Sequence, residues 1–130
     1  MATLTPTLTI ASSTLTGDTL SISQTDTLIL GDNDAKISKI ISPNDVDPGG
    51  TQIFDTNLGK SYIYAKNIHA SLTIYLTAAA DTATTAAWMT LGPGEFAFFP
   101  WSGVVDLFAH SGADGQGVAT AGFEYMIWEA

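Results

Sequence analysis

The chain has no cysteine and no arginine, and four lysines face 13 acidic side chains. Without cysteine there is no disulfide framework, zinc–thiolate site, iron–sulfur cluster or thiol nucleophile. Without arginine, and at a formal net charge of −9, no basic face exists to neutralise phosphates, so nucleic acid is excluded as a partner. An anionic membrane surface repels the chain for the same reason. Charge of either sign is scarce, at 13% of residues against the roughly 25% usual in globular domains. No apolar run approaches the ~20 residues that span a bilayer. The first ten residues hold no basic side chain and no apolar stretch long enough for a signal peptide, so a soluble species is expected.

What the chain does have is threonine (18), serine (10), glycine (12) and a 45% hydrophobic share. Its 130 residues suit one domain, or one domain plus an arm. A chain of this size buries roughly two thirds of its unfolded surface, enough for a core without metal or disulfide. Aromatic and aliphatic residues are too plentiful for intrinsic disorder.

The chain reads in three parts. In residues 3–10, Leu4, Leu8 and Ile10 alternate with Thr3, Thr5, Thr7 and Thr9. The period of two returns around Leu20 and Ile22 and around Leu28 and Leu30. That pattern predicts strands, separated by turns at Gly17-Asp18 and Gly31-Asp32-Asn33-Asp34. Pro6 cannot donate to a ladder, so the first run is an edge strand or an extended arm. Residues 36–66 hold all four lysines (Lys36, Lys39, Lys60, Lys66), a loop by composition over 42–50, and a strand over Ser61–Asn67. Residues 67–130 hold six acidic residues and no lysine. Strands are expected there over 71–77, 95–101, 104–110 and 122–129, with a type II turn at Gly92-Pro93-Gly94 and a further turn over 111–117. Residues 78–87, rich in alanine and threonine, read as a turn of helix or a loop.

Short strands at near-regular spacing with Gly, Pro and Asp turns predict an all-β fold: an antiparallel β-sandwich, jelly-roll-like, in one domain. The expected division is a threonine-rich arm or edge strand over 1–16 and the sandwich over 17–130.

Several strands are apolar on both faces, whereas a strand with one wet face alternates. Ile63 and Ala65 oppose Tyr62 and Tyr64; Phe96 and Phe98 oppose Phe99 and Trp101; Tyr125 and Ile127 oppose Met126 and Trp128. Only one face of each strand can enter a single core. The surplus face is expected to meet another copy or a partner protein. The residues assigned to such surfaces are Tyr62, Tyr64, Phe99, Trp101 and Trp128, with Leu4, Leu8 and Ile10 anchoring the arm.

Chemistry-bearing groups are sparse. His69 and His110 stand in no metal spacing and read as surface or turn histidines. Asp106 and His110 lie about 13 Å apart along a strand, too far for a dyad. The acidic clusters at residues 32–34 and 45–47 could hold calcium but lack the rest of an EF-hand loop, and Asx turns explain them equally. Glu95, Glu124 and Glu129 could supply a glycosidase pair only if two of them flank a groove. Trp88, Trp101 and Trp128 could form a sugar-stacking platform, but Trp101 and Trp128 sit within strands. No catalytic residue, metal or cofactor is assigned.

From Lys60 onward the chain resembles a known group. The segments Lys60-Ser61-Tyr62-Ile63-Tyr64-Ala65-Lys66-Asn67, Leu91-Gly92-Pro93-Gly94-Glu95-Phe96-Ala97-Phe98-Phe99-Pro100-Trp101 and Phe123-Glu124-Tyr125-Met126-Ile127-Trp128-Glu129 resemble small virion proteins of tailed bacteriophages. Among these the likeness is greatest to capsid decoration, or cement, proteins, and it covers about half of the chain. The resemblance implies a structural, non-enzymatic protein on the outer surface of a capsid. It also implies the major capsid protein as partner and a homo-oligomer, a trimer rather than a dimer. Under it, the N-terminal arm would pair with a strand of the capsid protein or of a neighbouring copy. The alternatives are a tail, baseplate or fibre component that recognises host glycan, a lectin-like module outside viruses, and, last, an enzyme.

Overall fold

The computed structural model describes residues 2–14, 20–31, 36–42, 50–78, 86–111 and 122–130. The acidic clusters at 32–34 and 45–47, and most of the turns expected over 78–87 and 111–117, lie outside the described residues. The chain divides into two compact units, Met1–Asp34 (with Ala130) and Ala35–Glu129.

The first unit holds β1 (Ala2–Leu4), β2 (Thr7–Ser12), β3 (Leu20–Thr25) and β4 (Leu28–Leu30). Strand β1 pairs with β4 from Ala2↔Leu30 to Leu4↔Leu28, and β2 pairs with β3 from Thr7↔Thr25 to Ser12↔Leu20, both antiparallel. The register is the same in both pairs, so the four strands form one continuous two-stranded ribbon. It opens only at Pro6, which lacks an N–H; there Asp26 N donates to Pro6 O at 3.2 Å. Two runs with the same period of two explain the pairing. Leu8, Ile10, Leu20 and Ile22 fall on one face, while Thr7, Thr9, Ser21, Ser23 and Thr25 fall on the other. A slip of one residue would mix the two sets. The Thr7 and Thr25 hydroxyls hydrogen-bond across the hydroxyl face at 3.0 Å.

This arrangement differs from the expected division into an arm or edge strand over 1–16 and a sandwich over 17–130. Residues 7–12 find their strand partner within the same chain, at 20–25, and the unit boundary falls after Asp34.

The second unit is an antiparallel β-sandwich. Its strands are β5 (Ile37–Ile41), β6 (Thr51–Phe54), β7 (Ser61–Asn67), β8 (Ile74–Thr77), β9 (Met89–Leu91), β10 (Phe96–Trp101), β11 (Leu107–His110) and β12 (Phe123–Glu129). One sheet has the order β10-β7-β12-β5, the other β6-β11-β8-β9. Apart from the β8–β9 hairpin, each strand is followed by one in the opposite sheet. Residues from both sheets meet in one core of Ile53, Phe54, Ile63, Ile74, Leu76, Leu107, Phe123, Tyr125 and Ile127, among others. At ~25 cal/mol per Å², each fully buried large apolar side chain contributes roughly 2 kcal/mol against the chain entropy that folding removes.

The all-β, antiparallel architecture follows from the period-two patterns. Strands β5, β6 and β9 were not legible. In β5, Ile40 breaks the alternation, and β6 and β9 span four and three residues, too few to show a period.

Buried polar groups pin the loops to this frame. Asn67 is fully buried. Its Nδ2 donates to Leu72 O at 2.7 Å and to Leu91 O at 2.8 Å, and its Oδ1 accepts from His69 N at 2.9 Å. The Gly92–Glu95 turn has the expected geometry: Glu95 N donates to Gly92 O at 3.0 Å, and Gly94 takes φ 80°. Gly103 takes φ 77° against the backbone of Gly59, which leaves no space for a Cβ.

Candidate interaction surfaces

The sheet β10-β7-β12-β5 has one face in the core, carrying Ile63, Ala65, Phe123, Tyr125 and Ile127. Alternation sends the residues between them to the outer face. The register aligns these residues in rows across the sheet. One row runs Phe96, Lys66, Glu124, Ile40; the next runs Phe98, Tyr64, Met126, Ser38; a third joins Pro100, Tyr62 and Trp128. The edge positions are the most open, with Phe96 at 64% and Ile40 at 59% exposure. The central side chains are half-buried by one another, and the Tyr62 and Phe98 rings stack at 6.3 Å and 7°. Lys66 and Glu124 sit side by side in this otherwise apolar field. Burial, and then the negative charge of Glu124, push the Tyr64 hydroxyl above its usual value of 10.0. The surface is aromatic, carries a methionine, and is poor in charge, the composition that marks the centre of protein–protein contacts.

Three of the five residues assigned to surplus apolar faces, Tyr62, Tyr64 and Trp128, lie on this surface. Phe99 and Trp101 do not. They pack against the core from β10, and the surplus face of that strand is formed by Phe96 and Phe98. Trp88 completes their cluster, 5.2 Å from Phe99 edge-on and 5.4 Å from Trp101 in a stack. Trp101 Nε1 donates to Val105 O at 3.0 Å. The two faces of β10 are nearly equal in apolar character, so the strand alone could not say which one faces the core.

The ribbon offers a second surface. Leu8, Ile10 and Ile22 are 54%, 43% and 46% exposed and share one face. Leu4 is half-buried in the β1–β4 portion, where Leu30 is buried. Asp26 is the sole charged residue among the described residues of the ribbon. A two-stranded ribbon is marginal in water unless a third strand or a packed face supports it.

No group of three or more His, Cys, Asp or Glu with metal-binding geometry occurs among the described residues. Glu95 Oε2 accepts from Gly92 N at 2.6 Å inside the turn, and Glu129 pairs with Lys36 at 3.4 Å. Asp106 accepts from Thr56 N at 3.0 Å. His69 Nδ1 accepts from Ser71 N and Leu72 N at 3.1 and 3.0 Å, which makes it a turn histidine. His110 differs from expectation. It is fully buried in β11 and stacks on Tyr75 at 5.4 Å, because the strand carries apolar side chains on both faces.

No protein-family model, curated protein or solved structure matches this chain. No helix among the described residues is long and apolar enough to cross a membrane.

Proposed function

We propose that this is a structural virion protein of a tailed bacteriophage: a capsid decoration, or cement, protein that binds the outer surface of the shell and stabilises contacts between capsomers. The observation that carries the reading is the pairing of an aromatic, charge-poor sheet face with a separate two-stranded ribbon, in a chain of short antiparallel strands. A cement protein needs a rigid body and at least two sticky surfaces, and it needs no reactive group. Counted within the sandwich, the strand orders are first-eighth-third-sixth and second-seventh-fourth-fifth, which we read as a jelly roll. The resemblance of the segments around β7, β10 and β12 to phage virion proteins supports the same reading.

In this reading the major capsid protein is the principal partner, and the ribbon is the element that engages it. Both outer edges of β2 and β3 lack a third strand among the described residues, so a capsid strand can extend the ladder by β-augmentation. Leu8 and Ile10, with Ile22, supply the apolar contact, and Leu4 holds the base of the ribbon. The chain acts as a homo-oligomer, without nucleic acid, membrane or cofactor.

Labelling intact phage particles with gold-conjugated antibody tests the location. Label over the head surface is expected. Label confined to the tail or baseplate overturns the reading in favour of a host-binding component.

A further inference from the structure

We infer that the outer face of the β10-β7-β12-β5 sheet is a two-fold homodimer interface, with the face of a second copy as its occupant. The proposal does not depend on the capsid reading.

A chain carrying −9 repels its own copies unless they meet on a neutral surface. In the described core of this face the two signs balance: Lys66 on β7 is the cross-strand partner of Glu124 on β12. The two are adjacent on the two central strands of the sheet.

Two such sheets, packed face to face and aligned, are related by a two-fold axis running along the strands between β7 and β12. That axis exchanges the β7 and β12 positions across the interface. Lys66 of one copy then lies over Glu124 of the other, twice. Along the same axis Tyr64 meets Met126, Tyr62 meets Trp128, Phe96 meets Ile40, and the ring of Phe98 meets the small Ser38. Large side chains face smaller or flexible ones in most rows, and no like charges coincide in the row that carries Lys66 and Glu124.

The area lies at the threshold of a small specific contact. Four strands about 4.8 Å apart and five to seven residues long present roughly 400 Å² in projection. Aromatic relief enlarges that figure, so two copies together approach the ~1,000 Å² of a specific contact. A two-fold arrangement departs from the trimer that the resemblance implies. A three-fold contact would set this face against a different surface and would leave the Lys66–Glu124 pair without its complement.

The test uses sedimentation equilibrium on the full chain at micromolar concentration. The unmodified protein is expected to be dimeric. Lys66→Glu alone places Glu over Glu on both sides of the axis, and Glu124→Lys alone places Lys over Lys. Each is expected to weaken dimerisation by about tenfold or more while circular dichroism stays that of a folded β-protein.

The decisive sample is an equimolar mixture of the two variants. In the mixed dimer every facing pair is again opposite in charge, although each chain keeps its own like-charged neighbours. Recovery of dimer in the mixture supports the two-fold face and cannot arise from repair within one chain. A monomeric or trimeric unmodified protein, two variants that dimerise as tightly as the parent, or a mixture that stays monomeric would each overturn it.

Discussion

Asn67 shows how a single residue links the elements of the sandwich. Its side chain meets Leu72 O, Leu91 O and His69 N, so one buried amide secures the end of β7, the approach to β8 and the end of β9. Asn67→Ala leaves three backbone groups without that partner, at a cost of 1–3 kcal/mol for each one that stays dry. We expect a loss of about 3 kcal/mol in urea unfolding, without loss of the fold. Gly103 is similarly constrained. Its positive φ and the nearby Gly59 backbone mean that Gly103→Ala should cost about 2 kcal/mol or more in the same measurement. Tyr125 gives a pH signature. Burial raises its pKa above 10.0, so the folded state holds the phenolic proton more tightly than the unfolded chain does. The stability this contributes is fully present below pH 10.0 and is lost as pH rises through the higher, folded value. Tyr64 adds to the same trend. Unfolding midpoints measured above pH 10.0 should therefore fall, and Tyr125→Phe should make the fall shallower. The Gly92-Pro93-Gly94 turn was legible in the sequence because Pro and Gly have narrow conformational meanings. Asn67 was not, since an asparagine at a strand end looks the same whether it is buried or wet.

At the scale of the element, the ribbon and the sandwich make separate demands. The ribbon's register follows from two alternating runs that match each other, and both runs can be read directly from residues 3–10 and 20–30. What could not be read was their pairing, because the runs are also compatible with a lone arm. The two units have their own strand ladders, so removal of residues 1–34 should leave a sandwich that still unfolds cooperatively in urea. The same deletion should abolish attachment to capsids, measured by co-sedimentation with shells stripped of the protein. Attachment at full affinity would show that the ribbon is not the capsid-binding element. Strand β10 carries the opposite lesson: Phe96, Ala97, Phe98 and Phe99 offer two apolar faces, and only pairing with β7 decides that Phe99 and Trp101 turn toward the core.

For the whole molecule, charge scarcity and surface apolarity are one property. The outer sheet face of the sandwich carries Phe96, Phe98, Tyr62, Tyr64, Met126 and Trp128, an apolar composition of the kind that marks contact surfaces. Lowering the net charge of −9 by acidification should promote association, and turbidity measured as the pH approaches the sequence pI of about 4.1 should rise. Phe96→Ser with Phe98→Ser should reduce that association without lowering stability by more than about 1 kcal/mol, since both rings are exposed.

The sequence alone determined the class of the fold and the absence of thiol chemistry. Period-two alternation, turn residues and composition are local properties that survive without tertiary context. Which of two apolar faces enters the core, that the first strands pair with each other, and that Lys66 stands beside Glu124 were decided only by the tertiary structure. Those facts depend on strand register, and register is set by contacts between residues far apart in the chain.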